Sequence, residues 1–321
     1  MKEQTLKITD EALLNMLFGN LDEVVNAIEN ALNVTIHYRD SQVVICGENS
    51  RVALAVQLIE QLYARIEQGE TVNMQTVDYH IDMIKQENDI VDDYYSDVII
   101  TTPKGDKIVP RTVTQAEYVK AIRRSDIVFG LGPAGTGKTF VAVAMAVSHL
   151  KRRKVNKIII TRPAVEAGER LGYLPGDLEQ KIEPYLKPID DALNRILGST
   201  MYNSYREKNA IEIVPLAYMR GRTLEDAFII LDEAQNSSID QMKMFLTRIG
   251  KGSKVIVNGD TSQVDLEGNK KSGLIHATRL LKPIEGIEVV TFKKCDVVRH
   301  RLVKDIIEAY NKSEEKHDRN H

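Results

Sequence analysis

The sequence predicts an α/β protein: a parallel β-sheet covered by helices, with a small α+β unit ahead of it. Three observations lead there. Beyond residue 125, short apolar runs alternate with helical stretches, and strands buried on both faces read as near-continuous apolar runs of this kind. The run Ile127–Leu131 passes into GPAGTGKT and then into FVAVAMAVSHL, a strand, a glycine-rich loop and a helix in immediate succession. A second run, AFIIL, ends on the adjacent acids Asp232 and Glu233, at the strand end where open α/β sheets place their ligands.

The elements follow in order. Residues 1–75 are expected to form the small unit, reading from about residue 6 as helix, two strands, helix. EALLNMLFGNLDEVVNAIENAL is apolar at helical spacing, VTIHYRD and QVVICGE alternate, and VALAVQLIEQLYARI is helical again. Residues 76–97 are rich in acids and Gln and read as a helical connector. Residues 98–311 form the larger domain. DVIITT, the turn residues Pro103 to Asp106 and KIVPR suggest a hairpin at its start. The apolar runs then fall at Ile127–Leu131, 157–161, 211–214, 228–231, 255–258 and 288–291. Residues 312–321, KSEEKHDRNH, carry almost no apolar surface and are expected to be a frayed tail.

Composition bounds the function. Of 321 residues 43% are hydrophobic, enough for a sizeable core, and the net charge of −3 gives no global basic character, so any nucleic-acid contact has to be local. MKEQTLKITD has no apolar signal segment, and no stretch approaches the 18 or so apolar residues of a membrane span, so a cytoplasmic location is expected. Cys46 and Cys295 lack any CxxC or His-rich neighbourhood and read as buried thiols, not as a disulfide or zinc site.

The residues Gly132, Pro133, Ala134, Gly135, Thr136, Gly137, Lys138 and Thr139 satisfy G-x-x-x-x-G-K-S/T at every position. Such a P-loop turns successive backbone N–H groups toward one concavity, with a helix N-terminus behind it, and so binds the phosphates of ATP. Lys138 reaches the β- and γ-phosphates, and the Thr139 hydroxyl is placed to ligate Mg²⁺. Asp232 is the second magnesium residue, holding the ion through its waters, and Glu233 is placed to polarise the attacking water. An Asp-Glu pair after a strand also suits a helix N-terminus; the upstream P-loop favours the catalytic reading. KVIVNGDTSQ, residues 254–263, ends at the same sheet edge, where Gln263 or Asp260 is a candidate γ-phosphate sensor or part of a plain Gly-Asp turn.

GPAGTGKT, ITRPAVEAGERLGYLPGD, MRGRTLEDAFIILDEAQN, NGDTSQVD and DVVRHRLV together resemble the PhoH-like ATPases, over about residues 98–310. The resemblance implies a RecA-like core similar to the first motor domain of superfamily 1 helicases. It implies that Gln115 reads the adenine edge, against the plainer reading of an exposed residue at a helix start. It implies that Arg162, Pro163 and Glu166 to Gly172 face a nucleic-acid strand. Arg299 is a candidate finger or sensor for the γ-phosphate, with Arg220 and Arg222 in the RGRT segment as further arginines, and an ion-pair role is open for each. The family also implies a small KH-like domain at the start; no PIN-type nuclease domain is read in the sequence, so RNA cleavage by that route is not expected. Gly19, Asn20, Leu21 and Asp22 stand where a nucleic-acid-binding KH domain has GxxG, and the acid there leaves two readings, a degenerate RNA binder or a partner-docking module.

Two functions of different class follow. One is an ATP-hydrolysing, helicase-like enzyme acting on single-stranded RNA in RNA processing or ribosomal RNA maturation. The other is an ATP-dependent switch that docks an endoribonuclease such as YbeY, the partner that the family context implies. A small-molecule kinase is a third and weaker reading, since nothing resembles an acceptor lid. A chain of this length has room for one motor core, so a neighbouring subunit is expected to supply the second wall of the site, and a homo-hexameric ring is the expected assembly. A ring would gather the basic runs Lys151–Lys154, Lys270 with Lys271, and Lys293 with Lys294, each of which also reads as ordinary solvated surface.

Overall fold

A computed structural model describes residues 2–7, 23–39, 42–67, 72–85, 97–163, 178–264, 266, 271–297 and 306. The chain divides into two compact units, residues 1–96 with 298–321, and residues 97–297.

The described elements of the first unit are β1 (Lys2–Lys7), α1 (Glu23–Leu32), β2 (Thr35–Arg39), β3 (Gln42–Gly47), α2 (Asn49–Glu67) and α3 (Met74–Lys85). The strands form an antiparallel sheet in the order β1-β3-β2. β1 is a correction to the sequence reading, which starts with a helix. KEQTLK has a single large apolar residue, Leu6, and owes its strand state to pairing with β3 from Lys2–Gly47 to Lys7–Gln42. On β3, Val43 and Ile45 turn inward and are buried, as are Ile28 of α1 and Val52, Leu58, Ile59 and Leu62 of α2.

Of the stretch expected as a helical connector, the described part to Lys85 is helical and also packs into the unit, while residues 86–96 lie outside the described residues. α3 packs on α1 and α2 and buries Val77, Tyr79, Ile81 and Ile84. It also buries His80, whose Nε2 lies 3.5 Å from Arg65 Nη1 and whose Nδ1 lies 2.8 Å from the Thr76 carbonyl. A guanidinium only donates, so Nε2 accepts and Nδ1–H donates to Thr76. Burial lowers the His80 pKa to about 4. Gly19–Asp22 and residues 312–321 lie outside the described residues, and the GxxG and tail expectations lie with them.

The second unit opens with the expected hairpin, β4 (Ile100–Thr101) and β5 (Lys107–Ile108), closed by Thr102 N–H to the Asp106 carbonyl at 2.9 Å. The helix α4 (Val113–Arg124) follows, with Thr112 as N-cap accepting from the Gln115 N–H. Every expected apolar run is a strand: β6 (Ile127–Leu131), β7 (Lys157–Arg162), β8 (Ile211–Pro215), β9 (Ala227–Leu231), β10 (Lys254–Gly259) and β11 (Ile287–Thr291). They form one wholly parallel sheet in the order β11-β6-β10-β9-β7-β8.

Alternate residues of these strands bury on opposite faces, as period 2 requires. Ile158, Ile160, Phe228, Ile230 and Ile256 join a core with the helix α5 (Lys138–Lys151) and with Ile189, Leu193 and Ile196 of α6 (Leu178–Leu197). Ile159, Ala227, Ile229, Leu231, Val255 and Val257 join a second core with Phe245 of α7 (Ile239–Leu246) and Leu274 of α8 (Gly273–Leu281). A further short helix, Ser199–Glu207, precedes β8. Cys46 and Cys295 are only half-buried, correcting the expectation that both are buried.

Candidate functional site

β6, β10, β9 and β7 all run in one direction, so the residues beyond their C-terminal ends meet at one edge. The phosphate loop leaves β6, Asp232 and Glu233 leave β9, Asp260 leaves β10 and Arg162 ends β7. A cleft of about 410 Å³ lies there, lined by Ala134, Gly135, Gly137, Lys138, Thr139, Arg162, Asp232, Glu233, Asp260 and Gln263 among others. Of the residues singled out in the sequence, Ala134, Gly135, Gly137, Lys138, Thr139, Asp232, Glu233, Asp260 and Gln263 thus meet in one cleft.

The loop is held by contacts to its own carbonyls and to Phe292. Gly132 has φ +142°, and a Cβ there would stand 2.6 Å from the Phe292 carbonyl oxygen, so only glycine fits. The Lys138 ammonium donates to the Gly132 and Pro133 carbonyls at 2.6 and 2.7 Å and lies 5.9 Å from the centre of the Phe292 ring. Thr136 Oγ1 donates to the Pro133 carbonyl at 3.0 Å. Gln115, expected at the adenine, is 4% exposed and is not the exposed helix-start residue of the plainer reading. Its Nε2 donates to the Thr136 carbonyl at 2.9 Å, and its Oε1 accepts from the Arg111 N–H at 2.8 Å. It clamps the loop to the start of α4.

The acid pair divides by environment. Asp232 is 2% exposed: Thr139 Oγ1 donates to its Oδ1 at 2.8 Å, and the Arg162 guanidinium donates to its Oδ2 from Nε at 3.0 Å and Nη2 at 2.5 Å. The Glu233 side chain is 48% exposed, with Oε1 4.0 Å from Arg162 Nη2 and Oε2 accepting from Gln235 Nε2 at 2.8 Å. Glu233 holds a left-handed backbone, φ 53° and ψ 37°, an unusual state for a side-chain-bearing residue. One acid is dry, paired and fixed; the other is open to water. Under the loop, Tyr118 donates to Asn258 Oδ1 at 2.5 Å; burial, with the nearby Asp232 charge, raises its pKa well above the usual phenol value and keeps it a donor.

Asp260 bridges to the loop. Its Oδ2 accepts from the Ala134 N–H at 3.1 Å, while Oδ1 accepts from Ser262 N–H and Oγ at 2.9 and 2.6 Å. Arg222 pairs with Glu212 at 2.6 Å, and neither it nor Arg220 lines the cleft. Arg299 and Glu166–Gly172 lie outside the described residues.

Two groups were missed by sequence reasoning. Pro188, Asp191, Ala192 and Arg195 of α6 line the cleft, with the Arg195 guanidinium 5.4 Å from the Phe140 ring centre. Their spacing of three, one and three marks a helix face beside the apolar stripe of Ile189, Leu193 and Ile196, a signal present in the sequence. Gln235 sits inside the DEAQN segment and carried no assigned role.

A family model described as PhoH-like protein matches residues 107–311. The PhoH-like protein of Bacillus subtilis (strain 168) is 50% identical over 310 residues, 96% of this chain and 97% of its own length. The PhoH-like protein of Mycobacterium tuberculosis (strain ATCC 25618 / H37Rv) is 47% identical over 299 residues, 93% of this chain and 85% of its own length. Among solved structures, the UvsW helicase from bacteriophage T4 superposes with a TM-score of 0.37 at 13% identity, over 63% of this chain and 66% of that one.

Proposed function

This chain belongs to the PhoH-like protein family, and on that premise we propose that it binds ATP with Mg²⁺ and hydrolyses it between the phosphate loop and the Asp232–Glu233 pair. The observation that carries this reading is the 2.8 Å contact from Thr139 Oγ1 to Asp232 Oδ1, which joins the end of the phosphate loop to the end of β9.

Both groups are hard oxygen donors. Mg²⁺ takes one or two such protein ligands and fills its shell with water and phosphate oxygens, so the pair fits the ion although no cluster of three acidic, His or Cys groups occurs among the described residues. When bound, the ion supplies positive charge that stabilises the phosphoryl oxygens as charge builds on them. Lys138 and the loop N–H groups hold the phosphate chain, and Gln263 is proposed to sense its terminal group. Glu233 accepts a proton from the attacking water as the water oxygen bonds to the γ-phosphorus. The bond from that phosphorus to the bridging oxygen breaks, and ADP leaves with its electron pair.

The finer reading is an RNA-associated ATPase. It rests on the family's likeness to helicase motors and on the exposure of Glu233, which leaves one side of the catalytic acid for a neighbouring subunit to cover. A homo-hexameric ring closing that side with an arginine such as Arg299, a KH-like first unit and a cytoplasmic setting belong to the same proposal. No helix among the described residues is long and apolar enough to cross a membrane.

The test is ATPase rate with and without single-stranded RNA on wild type, Lys138→Ala and Glu233→Gln, with particle mass measured in the same buffers. Lys138→Ala is expected to lose nucleotide binding, and Glu233→Gln to bind ATP while turning over slowly. Stimulation by RNA supports the remodelling enzyme. An RNA-indifferent rate, with the ATP-bound Glu233→Gln protein capturing YbeY, supports the switch. Failure of the wild type to bind ATP sinks both.

A further inference from the structure

We propose that Gln235 is the positioning residue for the Glu233 carboxylate, and that it ties the aim of that carboxylate to the loop after β10. The inference rests on the hydrolytic reading above and assigns a role that reading does not use.

Gln235 is 1% exposed, and both ends of its amide are engaged. Nε2 donates to Glu233 Oε2 at 2.8 Å, and Oε1 accepts from the Asp260 N–H at 3.0 Å. An amide held at its oxygen has its NH₂ direction fixed, because the two groups share one plane. The backbone around it is fixed as well: the Gln235 carbonyl accepts from Ser272 Oγ at 2.9 Å, and the Ser237 carbonyl accepts from the Gly273 N–H at 2.7 Å. Gly259 makes the approach possible, since a Cβ there would stand 2.8 Å from Gln235 Oε1.

Glu233 is two residues away, half-exposed, and in a left-handed conformation that costs energy unless its surroundings hold it. Left alone, such a side chain would sample several rotamers. With Oε2 taken by Gln235, Oε1, which lies 4.0 Å from Arg162 Nη2 and so beyond a hydrogen bond to it, is the oxygen left to receive a proton from water in the cleft. The far end of the relay reaches the phosphate loop, because the Asp260 carboxylate accepts from the Ala134 N–H. A shift of the loop against β10 therefore moves the amide that aims the base.

The experiment is steady-state ATP turnover and fluorescent-nucleotide binding on wild type, Gln235→Met, Glu233→Ala and the double variant, with melting curves for each. Methionine keeps the length of glutamine and removes both hydrogen bonds. Gln235→Met is expected to lower kcat about tenfold or more, the worth of one hydrogen bond to a charged group, with KM and nucleotide affinity within about twofold of wild type. In the Glu233→Ala background, which has no carboxylate to aim, the same change is expected to alter the residual rate by less than about twofold. A residue that merely packs would cost the same in both backgrounds. Wild-type kcat in Gln235→Met, or an equal loss in both backgrounds, overturns the proposal. If Gln235→Met does not fold, Gln235→Glu keeps the acceptor for Asp260 and loses the donor to Glu233, and it carries the same expectation and the same refutation. Absence of turnover in the wild type counts against the hydrolytic reading instead.

Discussion

Arg162→Ala removes the cation from a carboxylate with almost no access to water. Asp232 is 2% exposed and takes two hydrogen bonds from Arg162 on Oδ2, while Thr139 serves only Oδ1. Breaking a buried pair by deleting one partner costs about 3–5 kcal/mol, because the remaining charge stays dry. The Arg162 side chain is 15% exposed, so some water can follow the deletion and the lower end, about 3 kcal/mol, applies here. For a domain of this size each kcal/mol moves Tm by about 2–4 °C, which gives a fall of about 6–12 °C. The assay is thermal unfolding of wild type and variant in EDTA, repeated with Mg²⁺ and a non-hydrolysable ATP analogue. The gap is expected to narrow in the second condition, because the bound cation replaces the lost charge at Asp232. Equal melting of the two proteins in EDTA, or a gap that ignores Mg²⁺ and nucleotide, refutes the reasoning.

Gln115→Ala frees the Thr136 carbonyl from its clamp and is expected to weaken nucleotide binding about 5–10-fold. Measured with ATP and GTP side by side, equal losses mean a loop clamp, and a loss confined to ATP means adenine reading. Gly132→Ala forces a Cβ to within 2.6 Å of the Phe292 oxygen at a backbone angle that alanine resists, so nucleotide binding is expected to fall below detection in a titration that still saturates wild type. His80 has a folded-state pKa of about 4, below its ordinary 6.5. The unfolded chain therefore binds the extra proton first, and stability is lost as pH falls from about 6.5 to 4, by about 3 kcal/mol in all. Hydrogen exchange of α2 and α3 amides across that range should show the loss in wild type and not in His80→Gln.

The parallel sheet was legible because its strands are buried on both faces: Ile158–Ile160 and Phe228–Leu231 offer no polar side, and period and length leave little choice. The phosphate loop and the acid pair were legible because their chemistry demands particular residues next to one another. β1 was not, since KEQTLK takes its state from a partner strand about 40 residues away in sequence. The burial of α3 was not, since DYHIDMIK mixes charge with apolar positions and the packing on α1 and α2 decides which face wins. Gln235 is not legible, because an amide's place is set by the two groups it joins, and Asp260 lies 25 residues further along the chain.

The order of the sheet places β10 between β6 and β9. The strands that carry the phosphate loop and the acid pair, β6 and β9, therefore lie two strand spacings apart, about 10 Å at the usual 4.8 Å per step, and the side chains beyond their ends close that span. That span is drawn by backbone hydrogen bonds, which no side-chain substitution lengthens or shortens. The sheet acts as a ruler, and the residues at its edge are tools mounted at set marks. Exchanging a tool changes the chemistry available at the edge, while the spacing between the strands that carry the two sets of residues stays as the sheet drew it.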